Sequence, residues 1–279
     1  MRQVWMLAPM LAVSLAWADG TQPLGYTGFA FKRGQLLYYR VEQATTATDM
    51  LGDSRVSLAT RVEQIRCWQV RDVEGDGTAL VQLWVQKLKV SQRLPSGEQW
   101  EYDSAAAERA SPPLRQKLDP FVGRPVALLR VDPRGSVVGV VHAVEGWPTH
   151  FEQDLPFVVI LPGRQLAMGQ VWQRNYAIVL DPPLGTGQRY LAQQQYQVRS
   201  LDNGTAIIGF STTLAESPHD ATHRLALLQF LPQGEAVFDL QTGLLVSARF
   251  VSSGTVEGHQ GQGSRYELHS EVRLTLLSR

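Results

Sequence analysis

The spacing closest to a metal site is His219-Asp220-Ala221-Thr222-His223, with two imidazoles four residues apart. On a helix, such residues share a face and could supply half of a zinc site. The other half is missing. No Glu follows His219 as in a metalloprotease helix, and His142, His150, His259 and His269 are scattered. The segment reads as a polar loop, and no metal is expected. Nucleophilic chemistry fares no better. No Gly-x-Ser-x-Gly elbow occurs, and Ser211 sits within a strand pattern. Cys67 is the sole cysteine and has no His near it in sequence, so it reads as a small buried apolar side chain. The glycines of Gly258-His259-Gln260-Gly261-Gln262-Gly263 are spaced like a phosphate loop. They precede a strand and lack the lysine that such a loop needs. Asp103 and Asp132 are turn residues first, and pairing carboxylates for glycoside hydrolysis depends on a distance across a cleft. Asn203-Gly204-Thr205 fits a glycosylation sequon, but a tight hairpin accounts for Asn203 equally well. No catalytic residue and no cofactor are assigned.

What the chain does have is aromatic side chains on strand-like segments. Sheet packing accounts for most of them. The functional version is an apolar cavity in a curved sheet, and its candidate lining is Trp68, Trp84, Trp100, Trp172, Tyr176 and Tyr196.

The elements that must position them are strands. Two stretches echo one another: Trp68 to Val85 and Tyr196 to Phe210 share an aromatic, Gln-Val-Arg, an acidic or amide turn, and Gly-Thr-Ala. Three landmarks recur in order. Gly34-Gln35 and Gly169-Gln170 open strands, Gly77-Thr78-Ala79 and Gly204-Thr205-Ala206 close hairpins, and Leu94-Pro95-Ser96-Gly97-Glu98 is echoed by Leu231-Pro232-Gln233-Gly234-Glu235. A duplicated sheet unit explains them better than the reuse of common turn residues. The expected fold is mainly β. Curved antiparallel sheet forms a half-barrel or flattened barrel from two tandem pseudo-repeats, with one or two short helices. The first β half spans residues 19–145 with a helical insert near 104–122. A connector covers 146–168, and the second half covers 169–279. Gly77 and Gly204 should then occupy equivalent turns. Ala44 to Ser54 reads as a turn or loop. Arg55 to Val73 alternates imperfectly, as a bulged strand or a strand with two partly covered faces would. The last strand, Tyr266 to Leu277, alternates cleanly between an apolar and a polar face.

Residues 1–18 read as a signal peptide. Arg2 precedes an apolar run, and Ala16-Trp17-Ala18 forms a cleavage site. The expected location is periplasmic or extracellular, and no later segment is long and apolar enough to span a membrane. Lys plus Arg and Asp plus Glu balance at 26 each, without a block of like charge. That composition lacks the electrostatic footprint of a nucleic-acid binder.

The order of a Gly-led strand, Asp76-Gly77-Thr78-Ala79, a strand ending Asp103-Ser104, Gly135-Ser136-Val137-Val138, Pro162, Gly169-Gln170-Val171-Trp172 and Phe238-Asp239-Leu240-Gln241-Thr242-Gly243 resembles a domain-of-unknown-function family of secreted bacterial proteins. The resemblance implies export and a β-rich fold and transfers no catalytic residues. In design, the chain is also distantly similar to the half-barrel lipoprotein carriers of the bacterial envelope, which hold acyl chains in an apolar concavity. The favoured expectation is an exported non-enzymatic protein that binds an apolar ligand, a lipid or an envelope component in the concavity of its sheet. A structural module that docks a partner protein through edge strands is the alternative, and a secreted hydrolase ranks last.

Overall fold

The computed structural model describes residues 27–147 and 157–278; the signal-peptide reading and part of the connector lie outside them. Twelve strands form one antiparallel sheet. They are β1 (Leu36–Leu51), β2 (Ser54–Val73), β3 (Ala79–Arg93), β4 (Gln99–Asp103), β5 (Pro125–Val131), β6 (Val137–Ala143), β7 (Val171–Leu180), β8 (Gln188–Asp202), β9 (Thr205–Leu214), β10 (Gln233–Asp239), β11 (Leu244–Glu257) and β12 (Ser264–Ser278). Their order is β6-β5-β3-β2-β1-β12-β11-β10-β9-β8-β7, with β4 paired to β3 alone. Two meanders therefore run outward from the centre, where the first and last strands pair. The sheet is not closed into a barrel. Its path ends at β6 and β7.

The duplication is visible in hydrogen bonds. Gly34 N–H donates to Val70 O and Val70 N–H to Gln35 O, at 2.8 and 2.9 Å. Gly169 and Gln170 make the same two bonds with Val198, both at 3.0 Å. The register slips at the same place in each copy, next to Arg71 and next to Arg199. Gly77 and Gly204 each precede the Thr that leads into the returning strand, and both have positive φ, 85° and 79°. Side chains with a Cβ avoid that conformation, so glycine recurs there. The third landmark is not equivalent. Leu94 to Glu98 is a hairpin turn closed by Leu94 N–H to Glu98 O, whereas Gly234 and Glu235 lie within β10. The shared letters arise from proline and glycine serving different backbone needs, and this match is withdrawn.

Other local expectations need correction. Residues 44–51 continue β1 rather than forming a loop, because their alternate side chains find cross-strand partners. His223 belongs to a short helix, α2 (Ala221–Leu227), not to a loop; Asp220 caps it by accepting Thr222 N–H at 2.7 Å. The insert contains α1 (Pro112–Leu118), which starts with Pro at its first position. In β2 one residue, Arg71, is extra against β3 and turns Val73 to the other face, whereas Ile65 and Cys67 break the alternation as apolar residues of the outer face.

The sheet curls until its arms share one core. Leu37, Trp68, Leu83 and Leu129 from the first arm, and Tyr196, Ile208, Phe238 and Leu274 from the second arm and centre, belong to a single buried cluster. A strap at the amino-terminal side records the closeness of the two arms. Phe29 N–H donates to Pro133 O in the β5–β6 turn, and the next residue, Ala30, donates to Gly243 O in the β10–β11 turn.

Candidate functional site

One face of a curved sheet is a natural binding surface, so the occupants of the concave face come first. At the end nearest the strap, the concavity is filled by the chain itself. Phe157 to Leu161 is 0 to 3% exposed yet belongs to no strand. Buried backbone outside a sheet needs other partners, and side chains supply them. Tyr196 Oη lies 2.9 Å from Val158 O, Trp172 Nε1 donates to Ile160 O at 2.7 Å, and Arg134 Nε donates to Leu161 O at 3.0 Å. Leu161 N–H returns a bond to Arg134 O. Phe157 meets Trp68 edge to face at 4.8 Å between centroids.

Further along the same face runs a polar band. Ser252, Ser270, Thr45, Thr60 and Gln92 stand opposite one another on β11, β12, β1, β2 and β3. Their side chains are linked. Thr45 and Ser270 hydroxyls are 2.8 Å apart, Gln43 Nε2 reaches both, and Gln92 Nε2 donates to Thr60 Oγ1 at 3.3 Å. Ser252 and Ser270 are buried, while Thr45, Thr60, Gln43 and Gln92 are half-buried. Past the band come Ala47, Leu58 and Leu268, and then Asp49, which stands opposite Val56 and Tyr266, lies 3.0 Å from His259 Nε2 and accepts from Gln260 Nε2 at 2.9 Å. At the tip, Leu51 and Val56 are 49 and 43% exposed. The helix α1 packs against β4, while α2 with the 3-10 turn Leu228–Phe230 reaches from the edge strand β7 over the central strands β11 and β12, where Gln229 O accepts from Ser252 Oγ at 3.2 Å. A second polar cluster lies in the other arm. Gln194 is fully buried, accepts from Arg174 Nε at 2.9 Å and donates to Thr212 Oγ1 at 2.8 Å. The sequence reading missed both clusters. Their signal was a polar residue at every second position of strands that are apolar elsewhere.

The six aromatic candidates fall in four places. Trp68, Trp172 and Tyr196 converge on the Phe157–Leu161 segment; Trp172 stacks on Tyr196 at 5.4 Å. Trp100 joins a separate cluster with Tyr102, Leu88 and Leu114 beneath α1. Tyr176 joins a third, with Ile178, Leu180 and Leu227 beneath α2, and Arg174 lies 4.7 Å over its ring. Trp84 pairs with Cys67 in the row that faces away from Leu83 and Val85, on the outer side. Cys67 is buried there, and burial pushes its thiol pKa up, so it is poorly suited to nucleophilic work.

His223 Nδ1 is 2.6 Å from Tyr190 Oη, which ties α2 to β8. Burial, reinforced by Asp119, pushes Tyr102 up to about 12, and burial raises Tyr39 and Tyr196 further. No group of three His, Cys, Asp or Glu side chains able to hold a metal occurs among the described residues. No described helix is long and apolar enough to cross a membrane.

The outer face is charged across its centre. Asp103, Lys89, Glu63, Glu42, Arg273, Arg249 and Glu235 stand in one transverse row over seven strands. Glu271 receives Arg249 and Arg273 at 2.9 and 2.7 Å, and the pair hold its carboxyl down at about 2. The two sides of the sheet thus differ in kind, one facing water and one facing its own apolar filling.

No family model matches the sequence, and no curated protein matches it. Among solved structures, lipovitellin, in a study of its lipid–protein interactions, aligns over 89% of this chain with a TM-score of 0.50 and 13% identity. The chain spans 25% of the lipovitellin chain. That likeness shows the fold alone. An outer-membrane lipoprotein-sorting domain from Vibrio parahaemolyticus aligns over 86% of both chains at 13% identity with a TM-score of 0.18. A DUF1329 family protein from Desulfovibrio piger aligns over 85% of this chain and 84% of its own at 9% identity, with a TM-score of 0.16. Scores that low carry no argument.

Proposed function

We propose that this is an exported, non-enzymatic protein that holds an amphipathic, lipid-like ligand on the concave face of its sheet. The observation that carries the reading is the polar band of that face, next to apolar Ala47, Leu58 and Leu268. Thr45, Thr60 and Gln92 would meet a head group, while Ala47, Leu58, Leu51 and Val56 would cover apolar chain. Half-buried hydroxyls bonded mainly to each other keep spare lone pairs for a ligand. Apolar surface at the tip gains from being covered. The end of the concavity nearest the strap is already occupied by Phe157–Leu161, so the ligand belongs at the other end. The likeness of the fold to lipovitellin, a structure concerned with lipid–protein interactions, agrees with this reading.

The test is to purify the protein from its native envelope and analyse an organic extract by mass spectrometry. Titration with a fluorescent fatty acid follows. Wild type should carry lipid and bind the probe, and Thr60→Leu with Gln92→Leu should weaken retention of the head group. An empty protein that binds no probe would remove the reading. The alternative, docking through an edge strand, draws on β7. It pairs with β8 over ten residues without a register shift, which makes it a regular template for strand addition. By contrast β6, despite exposed Val138, Val140 and Val141, is broken by two shifts that blunt it. A crosslinked envelope protein mapped to β7, with no lipid in the extract, would favour docking.

A further inference from the structure

The outer face of the second arm differs from the rest of that side. Gln173, Gln195, Ser211 and Gln233 stand in one row across β7, β8, β9 and β10. Asn175, Gln193 and Thr213 form the next row. All seven are exposed and none is charged. With strands about 4.8 Å apart, the four-residue row spans about 14 Å. A groove of about 500 Å³ follows it, lined by Gln195, Gln197, Ser211 and Gln233 with Val171 and Val251 at its sides.

The fold does not require these amides. In the duplicated first arm, the positions in register with Gln173, Gln195 and Ser211 are Tyr38, Cys67 and Trp84. The same sheet geometry holds an apolar row there that is buried or half-buried, whereas the second-arm row is left open on the surface. The charged residue in the groove lining, Arg199, is paired with Glu235 beside it. Gly209 makes room for that pairing, since a Cβ there would stand 2.2 Å from Arg199 Nε. The next charge along β8 is Arg189, four residues beyond Gln193.

We propose that this outer face of β7–β10 is a binding surface for an uncharged, hydroxyl-rich chain, a neutral polysaccharide. An amide both donates and accepts, and its natural counterpart is a group that does both, as a hydroxyl does. A polyanion needs Lys and Arg free to neutralise it, and the rows offer none. Val171 and Val251 flank the rows and offer apolar contact to the C–H faces of a sugar ring. The site lies on the opposite side of the sheet from the lipid-like ligand and stands independently of it.

The test is affinity electrophoresis of the full chain through gels containing dextran, laminarin or hydroxyethyl cellulose. Gels with alginate or heparin run alongside. At least one neutral polymer should retard the protein, and the acidic polymers should not. Gln195→Ala with Gln233→Ala should weaken retardation about tenfold, the loss expected for two net hydrogen bonds. The side chains are exposed, so thermal melting should be unchanged. Gln195→Glu with Gln233→Glu, which removes the donors and adds charge, should weaken it at least as much. Passage through every neutral gel without retardation overturns the proposal. So does retardation by acidic polymer alone, or retardation that survives both double variants.

Discussion

Removing the Phe157 ring tests whether the Phe157–Leu161 segment fills the core as a structural part or merely rests in the concavity. Phe157 is 2% exposed and meets Trp68 edge to face at 4.8 Å. Truncation of a buried phenylalanine to alanine costs about 3 to 5 kcal/mol, the upper part of that range applying where neighbours cannot collapse into the space. Here the neighbours are strand side chains fixed by two arms of one sheet, so collapse is limited. The ring pair adds about 0.5 to 1.5 kcal/mol beyond burial, which also favours the upper end. For a domain of this size, each kcal/mol moves Tm by about 2 to 4 °C, so Phe157→Ala should melt about 6 to 20 °C below wild type. Phe157→Leu keeps most of the volume and should lose far less. Differential scanning calorimetry reads both, with Trp68 fluorescence as a local reporter. A loss below about 1 kcal/mol for Phe157→Ala, the scale of an ordinary surface-like change, would refute the reasoning. The segment would then be a loosely held occupant, and the end of the concavity nearest the strap would be open to ligands.

Two further outcomes follow from local geometry. Gly135 and Gly97 have nearly the same positive φ, 92° and 86°, but a Cβ at Gly135 would stand 2.5 Å from the Phe29 ring, whereas at Gly97 it would meet nothing within 4 Å. Both alanine variants carry backbone strain of about 1 kcal/mol or more; Gly135→Ala should be the less stable by urea unfolding, and it should also expose the strap to protease first. Glu271 has its pKa lowered by Arg249 and Arg273 from the usual 4.5 to about 2. A depressed carboxyl stabilises the folded state above its unfolded value and loses that contribution as pH falls through the folded one. The Tm gap between wild type and Glu271→Gln should therefore be constant above about pH 5 and close between about 4.5 and 2; a gap that does not narrow on acidification would contradict the bonding pattern.

Alternation, turn residues and the echo of Gln-Val-Arg around Val70 and Val198 were enough to read a β fold, its duplication and its hairpins, because period-two burial and positive-φ glycines are local constraints. The clean alternation of Tyr266 to Leu277 likewise became a strand with one buried face. The Leu-Pro-x-Gly-Glu echo misled for the same local reason, since proline and glycine mark both a turn and the start of a strand. The arrangement of the aromatics was not legible. Trp84 and Trp68 both lie on the same hairpin, yet register places them on opposite faces, and only the curl of the sheet brings Trp68, Trp172 and Tyr196 around one segment. Nor could the sequence alone tell that Phe157 to Leu161, apolar and bounded by Pro156 and Pro162, would enter the core without joining a strand. Its carbonyls depend on side chains from β7, β8 and the β5–β6 turn. The polar band had to wait for the same step, because Thr45, Thr60, Ser252 and Ser270 are far apart in the chain and meet only through strand pairing. Local backbone preference thus decided the strands and turns, while long-range register and curvature decided which faces are filled, which are charged and which are left to bind.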